Sequence, residues 1–128
     1  YTGTQEFRDA AHARQTMRKW VGNNNKFYPH AAQYEFEAWL LPYWSDIQAL
    51  AGHNRSAPAG EPELVNQMQP PSARISEIFR LGNKRNYVKP RDAQRILANK
   101  DLLVAADACP ELKAFLNTIL ALCGGDRI

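Results

Sequence analysis

From Ser72 onward, residues that start and stop helices divide the chain at short intervals. Ser72 is a good N-cap for a helix that ends before Gly82, since its hydroxyl bonds the first open amides and glycine terminates helices. Pro90 suits the first turn of a second helix, Asp101 can cap a third, and Pro110 can begin a fourth. Apolar residues recur at helical spacing between these points, so the second half of the chain is predicted to be helical.

The first half of the chain is predicted to hold two helices, a strand and a loop. Residues 6–21 and 36–50 carry the apolar stripes of amphipathic helices, and Pro42 should kink or divide the second one. Residues 27–34 are rich in aromatic side chains, which favours a short strand at a sheet edge. Residues 53–72 hold several prolines and predict an irregular loop, with residues 61–67 as a short helix inside it.

The fold class predicted from these segments is mainly α with one or two short strands, in a single domain over residues 1–128. A lone strand leaves its backbone groups without partners. Either the strand is therefore absent, or its neighbours lie outside the chain.

Composition limits the function classes. The chain is 45% hydrophobic, as a globular core requires, and no apolar run approaches the roughly 20 residues that span a bilayer. The first residues lack the basic and apolar regions of a signal peptide. Cys109 and Cys123 stand outside any zinc-binding spacing, and we expect free thiols in a reducing, cytoplasmic compartment, although the sequence leaves a disulfide open.

Positive charge is concentrated in the second half of the chain. Residues 1–64 carry six Lys and Arg against seven Asp and Glu, whereas residues 65–128 carry ten against six. Seven bases fall within 22 residues: Arg74, Arg80, Lys84, Arg85, Lys89, Arg91 and Arg95. Such a stretch either contacts the phosphates of a nucleic acid or forms a solvated helical face. Arg74 has a further alternative, an ion pair with Glu63.

Four segments, in this order and spacing, resemble the bacterial domain-of-unknown-function family 4276. The first is the run Ala32-Gln33-Tyr34-Glu35-Phe36-Glu37-Ala38-Trp39-Leu40-Leu41. The others are Pro62-Glu63-Leu64-Val65-Asn66 with Pro70-Pro71-Ser72-Ala73-Arg74-Ile75, then Tyr87-Val88-Lys89-Pro90, and last Cys109-Pro110-Glu111-Leu112-Lys113-Ala114-Phe115-Leu116.

The resemblance implies a Toprim-like α/β domain, of which this chain is the helical C-terminal portion. Such domains hold divalent metal with carboxylates at strand ends and act on nucleic acids. The family's acidic first strands have no counterpart here, so the resemblance implies that the chain is truncated on its N-terminal side. We therefore expect Mg²⁺ in the intact protein, and neither a cofactor nor activity for this chain alone. The relatives of the family suggest phage defence together with an ATPase partner.

Candidate site residues follow from the residues and the resemblance together. Glu37 is the first candidate for catalysis and metal binding, with Glu35 beside it as a metal ligand, because Mg²⁺ prefers carboxylate oxygens. An acidic residue in a first helical turn is also simply favourable for the helix dipole. The resemblance makes Lys89 the second catalytic candidate, able to stabilise a phosphate. Predicted nucleic-acid contacts are Arg74, Arg80, Lys84, Arg85 and Arg91.

Two other functions remain open. The chain can act as a non-catalytic helical module that binds a partner or nucleic acid through the 53–72 loop and the basic stretch. It can also be a structural core without activity, whose missing strands leave an exposed apolar patch and promote homo-oligomers.

Overall fold

A computed structural model describes residues 7–65 and 69–128, and within them the fold is mainly helical with no strand. Two 3-10 helices, Phe36–Tyr43 and Pro62–Leu64, accompany six α-helices. The α-helices are α1 (Ala10–Val21), α2 (Trp44–Ala51), α3 (Pro71–Gly82), α4 (Lys89–Leu97), α5 (Leu102–Ala108) and α6 (Pro110–Leu122).

Helix α1 begins four residues later than the apolar stripe predicts, because Asp9 caps it. The Asp9 carboxylate accepts a hydrogen bond of 2.7 Å from the His12 amide, and the helix starts at the next residue. The helix ends before Gly22, whose φ of +77° suits a residue without a side chain. Glu6, where the predicted helix began, lies outside the described residues.

The strand predicted at residues 27–34 is wrong, because this segment is irregular. Its backbone turns at Tyr34, which has a φ of +63°. The described part of the chain offers no second strand to pair with the segment, and Pro29 has no amide hydrogen to donate. A side chain holds the segment instead, since Gln33 Oε1 accepts a 2.8 Å hydrogen bond from the Ala10 amide.

The helix predicted at residues 36–50 is divided at Pro42, as expected. Proline cannot donate the amide hydrogen that an α-helix needs, and the 3-10 helix Phe36–Tyr43 accommodates it before α2 begins at Trp44. The two pieces contribute many of the buried side chains of the core. The buried apolar residues of the 3-10 helix and α2 are Ala38, Leu40, Leu41, Tyr43, Trp44, Ile47 and Ala51.

Helices α2 and α3 approach each other closely at Gly82. A Cβ atom at this position would lie 1.8 Å from the Ala51 carbonyl oxygen, so only glycine fits. Ile75, Ile78 and Phe79 of α3 are fully buried on the same core.

The boundaries of α3 and of the loop before it differ from the prediction. Ser72 does not cap α3, because the helix begins one residue earlier at Pro71 with Pro70 as its N-cap. The short helix predicted at residues 61–67 is the 3-10 helix Pro62–Leu64, and residues 66–68 lie outside the described part.

The last three helices begin near the predicted residues. Pro90 lies in the first turn of α4, Asp101 caps α5 through the Leu103 amide at 2.9 Å, and Pro110 begins α6. The apolar face predicted for α6 is only partly covered. Leu112 is buried, whereas Phe115 and Ile119 are 37% and 42% exposed.

A buried glutamate caps α6 from a distance. Glu63 accepts hydrogen bonds from the amides of Glu111 and Leu112 at 2.9 and 3.2 Å, and from Trp39 Nε1 at 2.8 Å. One carboxylate thus satisfies the first amides of α6 and joins the two 3-10 helices.

Candidate functional site

Glu37 lies in the first turn of the 3-10 helix and is completely buried. Its Oε1 atom lies 2.9 Å from Lys89 Nζ, at the first residue of α4. The Tyr87 hydroxyl lies 3.5 Å from the same oxygen, at the outer limit of a hydrogen bond. The other oxygen, Oε2, is buried and has no hydrogen-bond partner within the described structure. The fold thus brings together the two catalytic residues predicted from the sequence.

Lys89 connects this buried carboxylate to the surface. Its side chain is 59% exposed, so the ammonium group contacts both Glu37 and solvent. Burial and the neighbouring charge of Glu37 raise the pKa of Tyr87 well above its ordinary value. Tyr87 therefore stays a neutral hydroxyl beside the ion pair across the physiological pH range.

Glu35 has a structural partner of its own. Its Oε2 accepts a 2.8 Å hydrogen bond from the Ser72 amide, and its Oε1 accepts one of 2.9 Å from the Ser72 hydroxyl. The carboxylate therefore satisfies an open amide in the first turn of α3, where a negative charge also stabilises the helix dipole.

The described residues do not by themselves fit a Mg²⁺ site. Mg²⁺ requires near-octahedral oxygen ligands, usually including one or two carboxylates. Both oxygens of Glu35 are bonded to Ser72, and one oxygen of Glu37 faces Lys89. Across residues 7–65 and 69–128, no group of three or more His, Cys, Asp or Glu side chains could hold a metal ion.

Asp92 is a central residue of this region that the sequence analysis missed. It is completely buried, and its oxygens accept hydrogen bonds from Arg85 Nη1 at 2.8 Å and from the Val88 amide at 2.7 Å. Burial alone would raise the pKa of Asp92, but Arg85, the Val88 amide and Arg91 together hold it well below its ordinary value. The bases on either side of this single acid are the signal that could have found it.

Arg85 is therefore mainly structural. Besides its two bonds to Asp92, its guanidinium lies 4.5 Å from the centre of the Phe79 ring. Arg91 contacts Asp92 more weakly, with its Nε at 3.2 Å from the carboxylate, and remains exposed.

The remaining bases of this stretch point to solvent. Arg80, Lys84 and Arg95 are exposed and form no ion pair with any described residue. Between Glu77 and Asp101 the only acid is Asp92, which is buried. We call the exposed bases Arg80, Lys84, Arg91 and Arg95 the basic surface.

Arg74 stands apart from the basic surface. Its Nε donates a 3.1 Å hydrogen bond to the Gln69 carbonyl, and it does not form the ion pair with Glu63 that the sequence left open. Glu63 is instead committed to Trp39 and to the first amides of α6.

A comparison with protein-family models matches residues 1–120 to the family described as Domain of unknown function (DUF4276). The chain belongs to this DUF4276 family. No curated protein and no solved structure matches the chain. The DUF4276 match spans α1 to α5 and most of α6, so it includes every candidate site residue.

Two further features of this DUF4276 chain concern its cysteines and its helices. Both cysteines are free, Cys109 buried and Cys123 exposed. Among the described helices, none has the length and apolar character needed to cross a membrane.

Proposed function

We propose that this DUF4276 chain binds the phosphate backbone of nucleic acid through its basic surface. The observation that carries the proposal is the absence of exposed acid between Glu77 and Asp101, where the only carboxylate, Asp92, is buried among bases. Arg80, Lys84 and Arg95 form no ion pair with a described residue, so their charged groups are available to phosphates. Arg91 contacts Asp92 but keeps an exposed side chain.

The geometry of α4 and of the preceding loop supports this proposal. Arg91 and Arg95 are four residues apart and therefore occupy the same helix face. Asp92 binds Arg85 and the Val88 amide, which holds the loop that carries Lys84. The bases are thus presented by a segment whose backbone is anchored in the core.

A salt titration of DNA binding tests the proposal. We expect a fluorescein-labelled duplex to bind with an affinity that falls steeply as salt rises, because bound phosphates release counterions. The triple variant Arg80→Gln, Lys84→Gln, Arg95→Gln should weaken binding and reduce the slope of log K against log salt by roughly 0.9 for each lost phosphate contact.

The matched control is Arg18→Gln, Lys19→Gln, which removes two exposed bases from the last turn of α1. It should leave the slope almost unchanged. A wild-type chain that does not bind DNA at low salt, or a control variant as weak as the triple variant, would contradict the proposal.

A second candidate function is a Toprim-like, metal-dependent nucleic-acid enzyme in which Glu37 and Lys89 belong to the catalytic site of the intact protein. The buried Oε2 of Glu37, which lacks a partner within the described residues, supports this candidate. Lys89, exposed on one side, is placed to stabilise the charge of a phosphate. Mg²⁺ ligation by Glu37 and Glu35 would require Glu35 to leave Ser72 and further ligands from outside the described residues.

Nicking assays on the full-length gene product test this second function. We expect Mg²⁺- or Mn²⁺-dependent nicking of supercoiled plasmid, lost in Glu37→Ala and strongly reduced in Lys89→Gln. Full activity in Glu37→Ala would remove Glu37 from the mechanism.

The proposals on partners and location rest on the resemblance and on the sequence. We propose an ATPase partner and a role in phage defence, which the Toprim-like resemblance alone supports. A cytoplasmic location is supported by two free thiols. Homo-oligomers are proposed from the exposed apolar residues of α5 and α6, among them Leu103 and Ile119.

A further inference from the structure

A cavity of about 370 Å³ lies between α3 and the loop that follows α2. Three charged side chains line it: Arg55 from the loop, and Arg74 and Glu77 from α3. Its volume lies within the usual range for small-molecule sites. Neither the basic surface nor the Glu37–Lys89 pair contributes a residue to it.

The loop wall of this cavity is held in place at Arg55. The Arg55 carbonyl accepts hydrogen bonds from Trp44 Nε1 at 2.7 Å and from Gln48 Nε2 at 2.9 Å. Its amide donates to His53 Nδ1 at 3.0 Å, and its Nη1 lies 2.8 Å from Glu77 Oε1. Four contacts at one residue make the wall a preformed surface, so a ligand needs little ordering of the loop.

The cavity offers hydrogen-bond donors in excess of acceptors. Arg74 uses only its Nε internally, so both of its Nη atoms lack a partner among the described residues. Among the described residues, the Ser56 hydroxyl and the amides of Ser56 and Ala57 likewise have no hydrogen-bond partner. With Glu77 neutralising one of the two arginines, the cavity keeps one net positive charge.

We propose that this cavity binds a phosphate monoester. A phosphate monoester carries nearly two negative charges and three acceptor oxygens, which suit a guanidinium fork together with hydroxyl and amide donors. Recognition is limited to the phosphate, because Trp44, the one aromatic side chain among the described residues that line the cavity, is only 6% exposed and offers no face for a base to stack on. The phosphate can belong to a free mononucleotide or to the end of a nucleic-acid strand.

Titration calorimetry on the full chain tests the proposal with AMP, inorganic phosphate, acetate, and an oligonucleotide with or without a 5′-phosphate. We expect AMP to bind, acetate to bind at least tenfold more weakly, and Arg74→Gln to weaken AMP binding by about tenfold or more. The matched control is Arg18→Gln, which removes an exposed arginine of α1 and should not affect AMP binding.

A second variant, Ala57→Glu, places a carboxylate at the exposed rim of the cavity and should abolish AMP binding without disturbing the core. Tighter binding of the 5′-phosphorylated oligonucleotide than of its 5′-hydroxyl form would identify a strand end as the source, whereas equal binding of the two, with AMP bound, would identify a free ester. The proposal is overturned if AMP does not bind, if acetate binds as well as AMP, or if Arg74→Gln behaves like Arg18→Gln.

The test of AMP binding to the cavity can be distinguished from the test of duplex binding to the basic surface. In the Arg80→Gln, Lys84→Gln, Arg95→Gln variant, AMP binding should persist while duplex binding weakens. Loss of AMP binding in this variant would assign the phosphate to the basic surface and overturn the cavity as its site. If the wild-type chain binds AMP but does not bind DNA, the proposed function is contradicted and the proposal for the cavity stands.

Discussion

At the scale of single residues, buried carboxylates organise this chain. Glu37, Glu63 and Asp92 are all buried, and different partners offset the free energy that it costs to remove each carboxylate from water. Glu63 binds amides and an indole, and Asp92 binds guanidinium groups and an amide. Among the described residues, Glu37 has an ammonium partner for one of its oxygens only. Glu37 is the least satisfied of the three, which is why it is the strongest functional candidate.

The Glu37–Lys89 pair predicts a measurable coupling in stability. Lys89→Met should lower the free energy of unfolding by about 1–3 kcal/mol, because it leaves the buried Glu37 carboxylate without its counter-charge. The loss stays moderate because Lys89 is exposed and water screens its side of the pair. The double variant Glu37→Gln, Lys89→Met should recover part of that loss. Urea unfolding of the four proteins of this cycle gives the coupling energy, and additive effects would show that the two residues do not interact.

Asp92 predicts a dependence of stability on acid pH. Its pKa in the folded chain lies below the ordinary value of 3.8, so the unfolded chain binds more protons as the pH falls through and below this value. Asp92 therefore contributes fully to the free energy of unfolding above the ordinary pKa of 3.8. This contribution is lost as the pH falls from 3.8 toward the lower pKa of the folded chain. We expect Asp92→Asn to cost about 2–4 kcal/mol at pH 7 and to flatten the decline in stability between pH 5 and pH 2.5.

The control for this prediction is Asp107→Asn, since the Asp107 side chain is 71% exposed and, among the described residues, forms an ion pair only with Lys113. Urea midpoints measured across the same pH range should follow the wild type in this variant. A wild-type decline that persists unchanged in Asp92→Asn would show that other carboxylates cause it.

At the scale of elements, helices in this chain are completed by side chains from other segments. Glu35 bonds the first turn of α3, and Glu63 bonds the first turn of α6, although neither residue is adjacent to the helix in sequence. These distant caps replace the local caps that usually define helix starts. The first turns of α3 and α6 therefore depend on tertiary contacts, whereas Asp9 and Asp101 cap α1 and α5 locally.

The close approach of α2 and α3 at Gly82 predicts that a larger residue there lowers the stability of the fold. In Gly82→Ala the new Cβ would meet the Ala51 carbonyl at 1.8 Å, and backbone cannot move aside as a flexible side chain can. We expect a loss of about 3 kcal/mol or more, measured by thermal unfolding followed by circular dichroism. Leu81→Ala, at a neighbouring residue that is 48% exposed, should cost much less. Equal losses in the two variants would contradict the close approach.

At the scale of the whole molecule, one core joins most of the elements. The 3-10 helix Phe36–Tyr43 contributes to it together with α2, α3, α4, α5 and α6. Cys109, at the junction of α5 and α6, is completely buried in this core, whereas Cys123 is exposed after α6. Cys123 is therefore accessible to a thiol reagent in the folded chain, whereas Cys109 becomes accessible only when the core opens.

The rates at which the two cysteines react test whether the core unfolds as one unit. Burial, and secondarily the charge of Glu63, raises the pKa of the Cys109 thiol to about 12, so the thiol is protonated and inaccessible in the native state. At pH 8 a disulfide reagent should modify one thiol rapidly, and Cys123→Ser should abolish that rapid phase. Cys109 should react only at the rate or population of unfolding. Rapid modification of Cys109 in Cys123→Ser would show that this part of the core opens locally.

Much of the helical architecture was predictable, since it follows from local chemistry. Pro42 divides its helix, Asp101 caps α5 and Pro110 begins α6 because each acts on its own backbone. The strand at residues 27–34 was wrong because aromatic content alone does not provide a pairing partner. Ser72 was wrong as an N-cap because the carboxylate of Glu35, distant in sequence, bonds its amide and hydroxyl.

The sequence by itself determined which segments are helical, which residues carry charge, and that the chain resembles the DUF4276 family, which the family comparison confirmed. Only the tertiary structure decided how those charges are used. It placed Lys89 against Glu37, bound Arg85 to Asp92, and left Arg80, Lys84 and Arg95 in solvent. The physical reason is that helix signals act over a few residues, whereas the partner of a buried charge is chosen by whichever distant side chain the packing brings within reach.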